Sequence, residues 1–281
     1  RRGRDLSESA PVALPLRVDA EVRENRAGGG AHFRLRLAVA GWPGAAPGRF
    51  VMLSPGARGA VLRFDPLLPR PMAVYRTIAG TAPPEIEVLY KATGRGTRLL
   101  AETRAGDWVR VVGPLGVPFA MPAAGQSALL VGGGTGIASL YELAARAAER
   151  GPVVVMLGAR SEADLMGCDD FAALGVELRI ATEDGSRGHR GRVTELLEAA
   201  LGAGAGGEAI YACGPTPMMR RAAEIAALRG RSCQVSLENR MACGFGVCLG
   251  CAVPRSDGSI ALVCRDGPVF EAGQVAWAGV P

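Results

Sequence analysis

Four cysteines near the C-terminus, Cys243, Cys248, Cys251 and Cys264, stand in the order C-x4-C-x2-C-x12-C, with Gly244, Gly246 and Gly250 threaded between the first three. Thiolates bind iron, and this is the plant-type ligand spacing for a 2Fe-2S cluster. The glycines suit a loop that must turn sharply and offer backbone N–H groups to the sulfurs. The alternative is a tetrahedral zinc knuckle, which draws more often on paired C-x2-C units. Arg240 and Met241, just before the first ligand, read either as neighbours of the cluster or, in the plainer reading, as anchors of the loop. Seven cysteines in all, an odd number with four in one short window, exclude a disulfide framework. Cys168 and Cys233 read as small apolar fillers.

Four other stretches could hold a nucleotide. In Arg70-Pro71-Met72-Ala73-Val74-Tyr75, an arginine at a strand start can pair with a pyrophosphate and an aromatic can stack on a flat ring. In Leu89 to Thr97, Tyr90 and Lys91 are followed by Gly94, Gly96 and Thr97, where glycines let a phosphate approach the backbone and Thr97 opens a short helix through Leu100. Each is equally ordinary as turn or strand-edge chemistry. The third stretch, Gly132, Gly133, Gly134, Thr135 and Gly136, lies between a strand and a helix, as a nucleotide loop should. It departs from the G-x-G-x-x-G fingerprint because position 137 is Ile. The next strand ends in Gly158-Ala159-Arg160-Ser161 with no acidic residue, so the sequence does not separate NADH from NADPH. The fourth, Cys213-Gly214-Pro215, sets a thiol and a tight turn at a strand end, either as a reactive group at the ligand-binding edge of a sheet or as a buried strand terminus.

The elements that must position these groups change character along the chain. Residues 1–14 form an expected flexible tail. From Leu16 short strand-like runs follow one another, with Phe33, Leu35, Leu37 and Val39 alternating against Arg34, Arg36 and Ala38. Further runs at 49–53, 72–75, 86–91 and 108–112, divided by Gly and Pro, predict an antiparallel β-barrel over 15–124. Strand-like and helix-like runs then alternate, with strands at 128–131, 153–157, 176–180, 209–212 and 234–237 and helices at 140–149, 193–201 and 218–228. That order predicts a parallel-sheet α/β domain over 125–235, and 236–281 is the cluster module. Gly202 to Gly207 reads as a loose connector.

At 281 residues and 48% hydrophobic content the chain can build these cores. Its net charge of +5 is spread as scattered arginines, which gives no footprint for nucleic acid. No apolar run approaches a membrane span and no signal-peptide core is present, so the expected location is cytoplasmic. The parts imply a chain of carriers. A nicotinamide exchanges two electrons together, the cluster passes one, and a flavin between them can do either.

The stretch Ser236-Leu237-Glu238-Asn239-Arg240-Met241-Ala242-Cys243-Gly244-Phe245-Gly246-Val247-Cys248-Leu249-Gly250-Cys251, with Val263-Cys264-Arg265-Asp266-Gly267-Pro268-Val269-Phe270, resembles the electron-transfer subunits of class B dihydroorotate dehydrogenase, within the ferredoxin reductase superfamily. The resemblance runs from about Leu16 to Phe270. It implies FAD in the barrel on Arg70 and the following strand, with Gly94, Gly96 and Thr97 at its pyrophosphate. It further implies NAD at the Gly132 to Gly136 loop and Cys213-Gly214-Pro215, and a 2Fe-2S cluster on the four cysteines. The implied partner is an FMN-containing catalytic subunit that oxidises dihydroorotate in pyrimidine synthesis, joined as a heterotetramer of two of each chain. Ala73 stands where relatives commonly carry Ser or Thr beside the flavin, and Ser139 where many carry Pro. Two rivals remain. One is a subunit of an NAD(P)H-dependent ferredoxin or sulfide reductase, which often has Asp at the first ligand position, so that Cys243 favours the dihydroorotate system. The other is a non-enzymatic scaffold built on a zinc knuckle.

Overall fold

The computed structural model describes residues 14–56, 68–203 and 206–281. All of the expected tail except Leu14, and residues 204 and 205 of the expected connector, lie outside the described residues.

The first sheet is antiparallel throughout. It contains β1 (Leu16–Ala27), β2 (His32–Ala38), β3 (Phe50–Pro55), β4 (Arg70–Ala73), β5 (Arg76–Ile78), β6 (Glu85–Lys91) and β7 (Trp108–Leu115), with helix α1 (Arg95–Ala101) before the last strand. Its order is β4-β3-β7-β1-β2-β6-β5. Only Val74 and Tyr75 separate the two edge strands, so the sheet has to wrap round until its edges meet. They bridge the gap by donating N–H groups to the Arg49 carbonyl (3.1 Å) and the Glu87 carbonyl (2.8 Å). The alternation along β2 sends Leu35 and Leu37 inward against Val51, Leu53, Ile86, Val88, Val109 and Val111, all fully buried. Each such side chain contributes about 1.5–3 kcal/mol by leaving water.

The second sheet carries β8 (Ala128–Gly133), β9 (Val153–Ala159), β10 (Glu177–Thr182), β11 (His189–Arg190), β12 (Ala209–Cys213) and β13 (Cys233–Ser236) in parallel. Helices α2 (Tyr141–Ala148), α3 (Cys168–Ala173), α4 (Val193–Ala203) and α5 (Thr216–Leu228) connect them, and a short 3-10 helix, Gly134–Ser139, follows β8. Every residue of β8 and β12 is buried, the signature of strands covered on both faces. The C-terminal module adds a hairpin, β14 (Ala252–Pro254) with β15 (Ile260–Leu262), and then β16 (Val269–Glu271). Strand β16 returns to pair antiparallel with β13, setting Phe270 opposite Val235, and the sheet runs β11-β10-β9-β8-β12-β13-β16.

Elements β5, β11, α3 and β14 to β16 were not foreseen, because two to six residues are too few for a hydrophobic period to show. Helix α3 is nonetheless well seated, with Phe171 fully buried and Cys168 nearly so. It also carries Asp170, which joins the two sheets. The Asp170 carboxylate pairs with Arg34 of β2 and accepts from the Tyr75 hydroxyl at 2.8 Å. Arg34 and Arg76 in turn reach buried Glu87 at 3.3 and 2.6 Å. Elsewhere along the same seam, Glu142 accepts from the Thr77 N–H at 2.7 Å and Lys91 pairs with Asp164 at 3.2 Å. Among the described residues no helix is long and apolar enough to cross a membrane.

A candidate dinucleotide cleft beside a four-cysteine centre

A cleft of about 1120 Å³ opens between the barrel and the carboxyl ends of the parallel strands. Its barrel wall includes Arg70, Pro71, Met72, Ala73, Tyr90, Lys91 and Thr97, and its opposite wall Gly133, Gly134, Thr135, Gly136, Gly214 and Pro215. Of the residues singled out in the sequence, Tyr75, Gly94, Gly96, Gly132 and Cys213 do not line it. Tyr75 is fully buried behind the wall, with its hydroxyl spent on Asp170 and its ring 4.6 Å from that of Tyr141.

Close approaches bring the separate motifs together. A Cβ on Gly96 would lie 2.5 Å from Arg70 Nε, so the guanidinium rests on the backbone that opens α1. Arg70 donates to the Leu68 carbonyl at 2.8 Å. The Thr97 hydroxyl accepts from the N–H groups of Thr93 and Gly94 at 3.1 and 3.0 Å, which fixes the turn in front of α1. Across the cleft, a Cβ on Gly136 would meet the Cys213 carbonyl carbon and Gly214 nitrogen at 2.5 Å. The two loops of the parallel sheet are thus in backbone contact, which only glycine permits. The Cys213 thiol is fully buried and donates to the Ser236 carbonyl at 3.4 Å, and burial pushes its pKa up to about 12. Glu238, just beyond β13, lines the cleft.

Sequence reasoning passed over three groups on this surface. His32, 4% exposed, shows one ring edge to the cleft, and Nδ1 donates to the Gly29 carbonyl at 2.9 Å. Burial and the charge of Lys91 lower its pKa. Glu183 and Arg192 also line the cleft, at its end beyond β9, where no nucleotide motif drew notice.

The cysteine centre lies beside this cleft. Cys251 and Cys264 are buried, Cys243 is half-buried and Cys248 exposed. The sulfurs approach in two pairs. Cys251 Sγ is 3.2 Å from Cys264 Sγ, and Cys243 is hydrogen-bonded by the Cys248 side chain. Among the described residues, no three His, Cys, Asp or Glu side chains close on a single point as one metal ion would take them. The backbone is arranged for thiolates. The Phe245 N–H donates to Cys243 Sγ at 3.5 Å and the Cys264 N–H to Cys251 Sγ at 3.4 Å. Burial works against ionising Cys243, but the N–H groups of Cys248, Phe245 and Val247 outweigh it and bring the thiol down to about 6. Gly244 and Gly246 hold φ near +85° and +87°, which lets the loop turn its amides inward. A Cβ on Gly244 would lie 2.6 Å from Met52 Cγ, so the loop is seated on barrel strand β3. One apolar core runs through all three parts, from Phe50 and Met52 to Val131, Val263 and Cys264.

Residues 238–276 match the iron-sulfur cluster binding domain of dihydroorotate dehydrogenase B, and residues 130–224 match an oxidoreductase NAD-binding domain. The electron transfer subunit of dihydroorotate dehydrogenase B (NAD(+)) from Bacillus caldolyticus is 43% identical over 234 residues, covering 82% of this chain and 86% of that one. The chain belongs to that family of electron-transfer subunits. A second member, from Geobacillus sp. (strain WCH70), is 40% identical over 236 residues with the same coverage. Among solved structures, an NADH-dependent reduced ferredoxin-NADP oxidoreductase of flavin-based electron bifurcation matches with TM-score 0.79 and 31% identity, over 92% of this chain and 90% of that one. A ferredoxin NADP+ reductase from Neisseria gonorrhoeae with bound FAD and NADP shares the fold at TM-score 0.62 and 16% identity, over 76% and 92%. The matched domains and the fold neighbours support a flavin and a nicotinamide dinucleotide as cofactors of this chain. The amide-lined sulfurs fit the cluster.

Proposed function

We propose that this chain is the electron-transfer subunit of an NAD+-linked dihydroorotate dehydrogenase, relaying electrons from an FMN-containing catalytic subunit through a 2Fe-2S cluster and FAD to NAD+. When bound, the flavin accepts or releases electrons singly or in pairs and so joins a one-electron centre to a two-electron carrier. The observation that carries this reading is the seating of the sulfur loop on β3, the strand paired with Arg70 to Ala73 of the cleft wall. That contact keeps the two redox sites adjacent.

The chain's own residues do the positioning. Cys243, Cys248, Cys251 and Cys264 hold the cluster, with loop N–H groups stabilising their thiolates. Arg70 and the turn at Gly94, Gly96 and Thr97 receive the flavin's pyrophosphate, while Pro71, Met72, Ala73, Tyr90 and Lys91 wall its ring and ribityl chain. Ala73 would offer no hydroxyl to the ring. Gly132 to Gly136 with Gly214 and Pro215 receive the dinucleotide. Cys213 supports that turn from behind, since its un-ionised buried thiol is bonded to Ser236.

Phe245, Val247 and Leu249 are 57%, 74% and 62% exposed around the sulfurs. An apolar patch of this kind suits a protein interface, and it supports docking of the catalytic subunit over the cluster in a heterotetramer of two of each chain, working in the cytoplasm. The rival reading as a ferredoxin or sulfide reductase subunit shares the fold, but Cys243 in the first ligand position favours the dihydroorotate system. Co-expression tests the proposal. The two subunits should copurify as a coloured complex that contains iron, acid-labile sulfide and both flavins and reduces NAD+ with dihydroorotate. Failure to copurify, together with no such turnover, overturns it.

A further inference from the structure

At the end of the cleft farthest from the cluster, charged side chains meet that the redox chemistry does not use. Strands β9 and β10 are parallel neighbours, with Thr182 opposite Ala159. One step on, the Glu183 N–H donates to the Ala159 carbonyl and the Asp184 N–H to the Arg160 carbonyl, both at 3.1 Å. Glu183 and Arg160 therefore leave adjacent strand ends side by side. Both line the cleft, as does Arg192 from the turn before α4.

Several neighbouring charges are matched. Arg187 reaches Glu162 at 3.7 Å, His189 reaches Glu195 at 2.7 Å, and Arg221 reaches Glu198 at 3.2 Å. The carboxylate of Glu183 and the guanidinium of Arg160 enter no ion pair or hydrogen bond among the described residues. Arg192 feels Glu195 only as a more distant charge, the contact there being made by its backbone N–H.

Sheet order fixes which part of a dinucleotide reaches this corner. The contact of Gly136 with Cys213 and Gly214 marks the reactive end, over β8 and β12 and toward β13 and the barrel. Moving the other way along the sheet, β9 and then β10 lie under the adenosine half. In nucleotide sheets the second strand commonly ends in an acidic residue that binds the ribose 2′-hydroxyl, or an arginine nearby accepts a 2′-phosphate. Here the second strand ends at Arg160, and the carboxylate comes from the third.

We propose that Glu183 selects the unphosphorylated dinucleotide by accepting hydrogen bonds from the adenosine ribose hydroxyls and repelling a 2′-phosphate that Arg160 and Arg192 would otherwise hold. The proposal rests on the assignment of the cleft to a nicotinamide dinucleotide. Like charges set against each other at a binding site cost enough to decide specificity, while a lost hydroxyl contact weakens binding more modestly. Two guanidiniums beside one carboxylate make the selectivity depend on a single residue.

The test uses the FAD-loaded chain, titrated with 5′-AMP and 2′,5′-ADP by calorimetry, alongside the NADH and NADPH kcat/KM for reduction of its flavin. Wild-type protein should prefer 5′-AMP and NADH. Glu183→Gln should shift both ratios toward the 2′-phosphorylated ligand by roughly 10- to 100-fold, chiefly through KM. Adding Arg160→Ala to Glu183→Gln should reverse most of that gain, and Arg160→Ala alone should weaken residual 2′,5′-ADP binding. Ratios unmoved by Glu183→Gln, or a wild-type preference for 2′,5′-ADP, overturn the inference and leave the nicotinamide site standing. Absence of binding by both nucleotides and of reduction by NADH and NADPH overturns the site and the inference together. Glu183 is exposed and its carboxylate has no partner among the described residues, so the variant retains the fold.

Discussion

At the residue scale, the cysteines were legible because ligand spacing is a covalent property of the chain, visible without any fold. Their inequality was not. Cys248 is exposed, while Cys251 and Cys264 are buried in the shared core. A Cys248→Ser variant therefore removes a ligand from the outer rim without opening a cavity. Purified Cys248→Ser protein should lose most of its iron and acid-labile sulfide, keep its FAD, and still have that FAD reduced by NADH while passing no electrons to the catalytic subunit. Metal analysis with anaerobic NADH titration reads both halves. If folded, FAD-loaded protein also fails to accept electrons from NADH, the linear order of carriers is wrong. Glu183 shows the opposite case, since its relation to Arg160 exists only through the register of two strands more than twenty positions apart in sequence.

At the scale of elements, the long strands and helices were readable from period and composition, and their structural bounds lie within a few residues of the expected ones. The short pieces were not, because β5, α3 and the module's three strands depend on partners that the local sequence does not contain. The glycine loop sits between these cases. Its position between strand and helix was plain, but the reason for Gly136 is a backbone contact with the turn after β12, some 75 residues on. Rigid backbone faces that contact on one side, so Gly136→Ala has no flexible neighbour to displace. It should cost about 1–3 kcal/mol as an overpacked site and push the Cys213 to Pro215 turn outward. NADH should then bind more weakly while FAD content stays near wild type, as read by isothermal titration and flavin absorbance. Gly134→Ala provides the contrast: it has open space around it and φ near +55°, so its cost is backbone strain alone, about 1 kcal/mol. Equal losses of NADH affinity in the two variants would show that the contact with the turn is not what matters.

At the scale of the whole molecule, electron transfer depends on two sheets keeping one geometry, and no residue pattern along the chain marks what holds them. Scattered arginines looked like a solvated surface. In the fold, Arg34 and Arg76 each pair with Glu87 and with Asp170, and Tyr75 donates to Asp170, where α3 meets the barrel. Burial raises the pKa of the Asp170 carboxyl, but the Arg34 and Tyr75 hydrogen bonds and the charges of Arg34 and Arg76 outweigh it, holding the group below the usual carboxylate range. A carboxyl depressed by folding stabilises the native state above its unfolded pKa of about 3.9, and that stabilisation fades as pH falls through the lower folded value. Asp170→Asn abolishes the titration and leaves Arg34 with Glu87 as its remaining counter-charge. At neutral pH it should cost about 2–4 kcal/mol, the range for breaking a largely buried pair reduced for partial exposure. The denaturation midpoints of wild type and variant should therefore be furthest apart above about pH 5 and converge as pH is lowered below about 4. The shared core from Phe50 to Cys264 persists in the variant, so the chain should remain folded while the seam between the sheets loosens. Hydrogen exchange should rise first in α3 and at the end of β2. A stability difference independent of pH would mean that Asp170 acts through packing, and the ionic clamp between the two sheets would have to be abandoned.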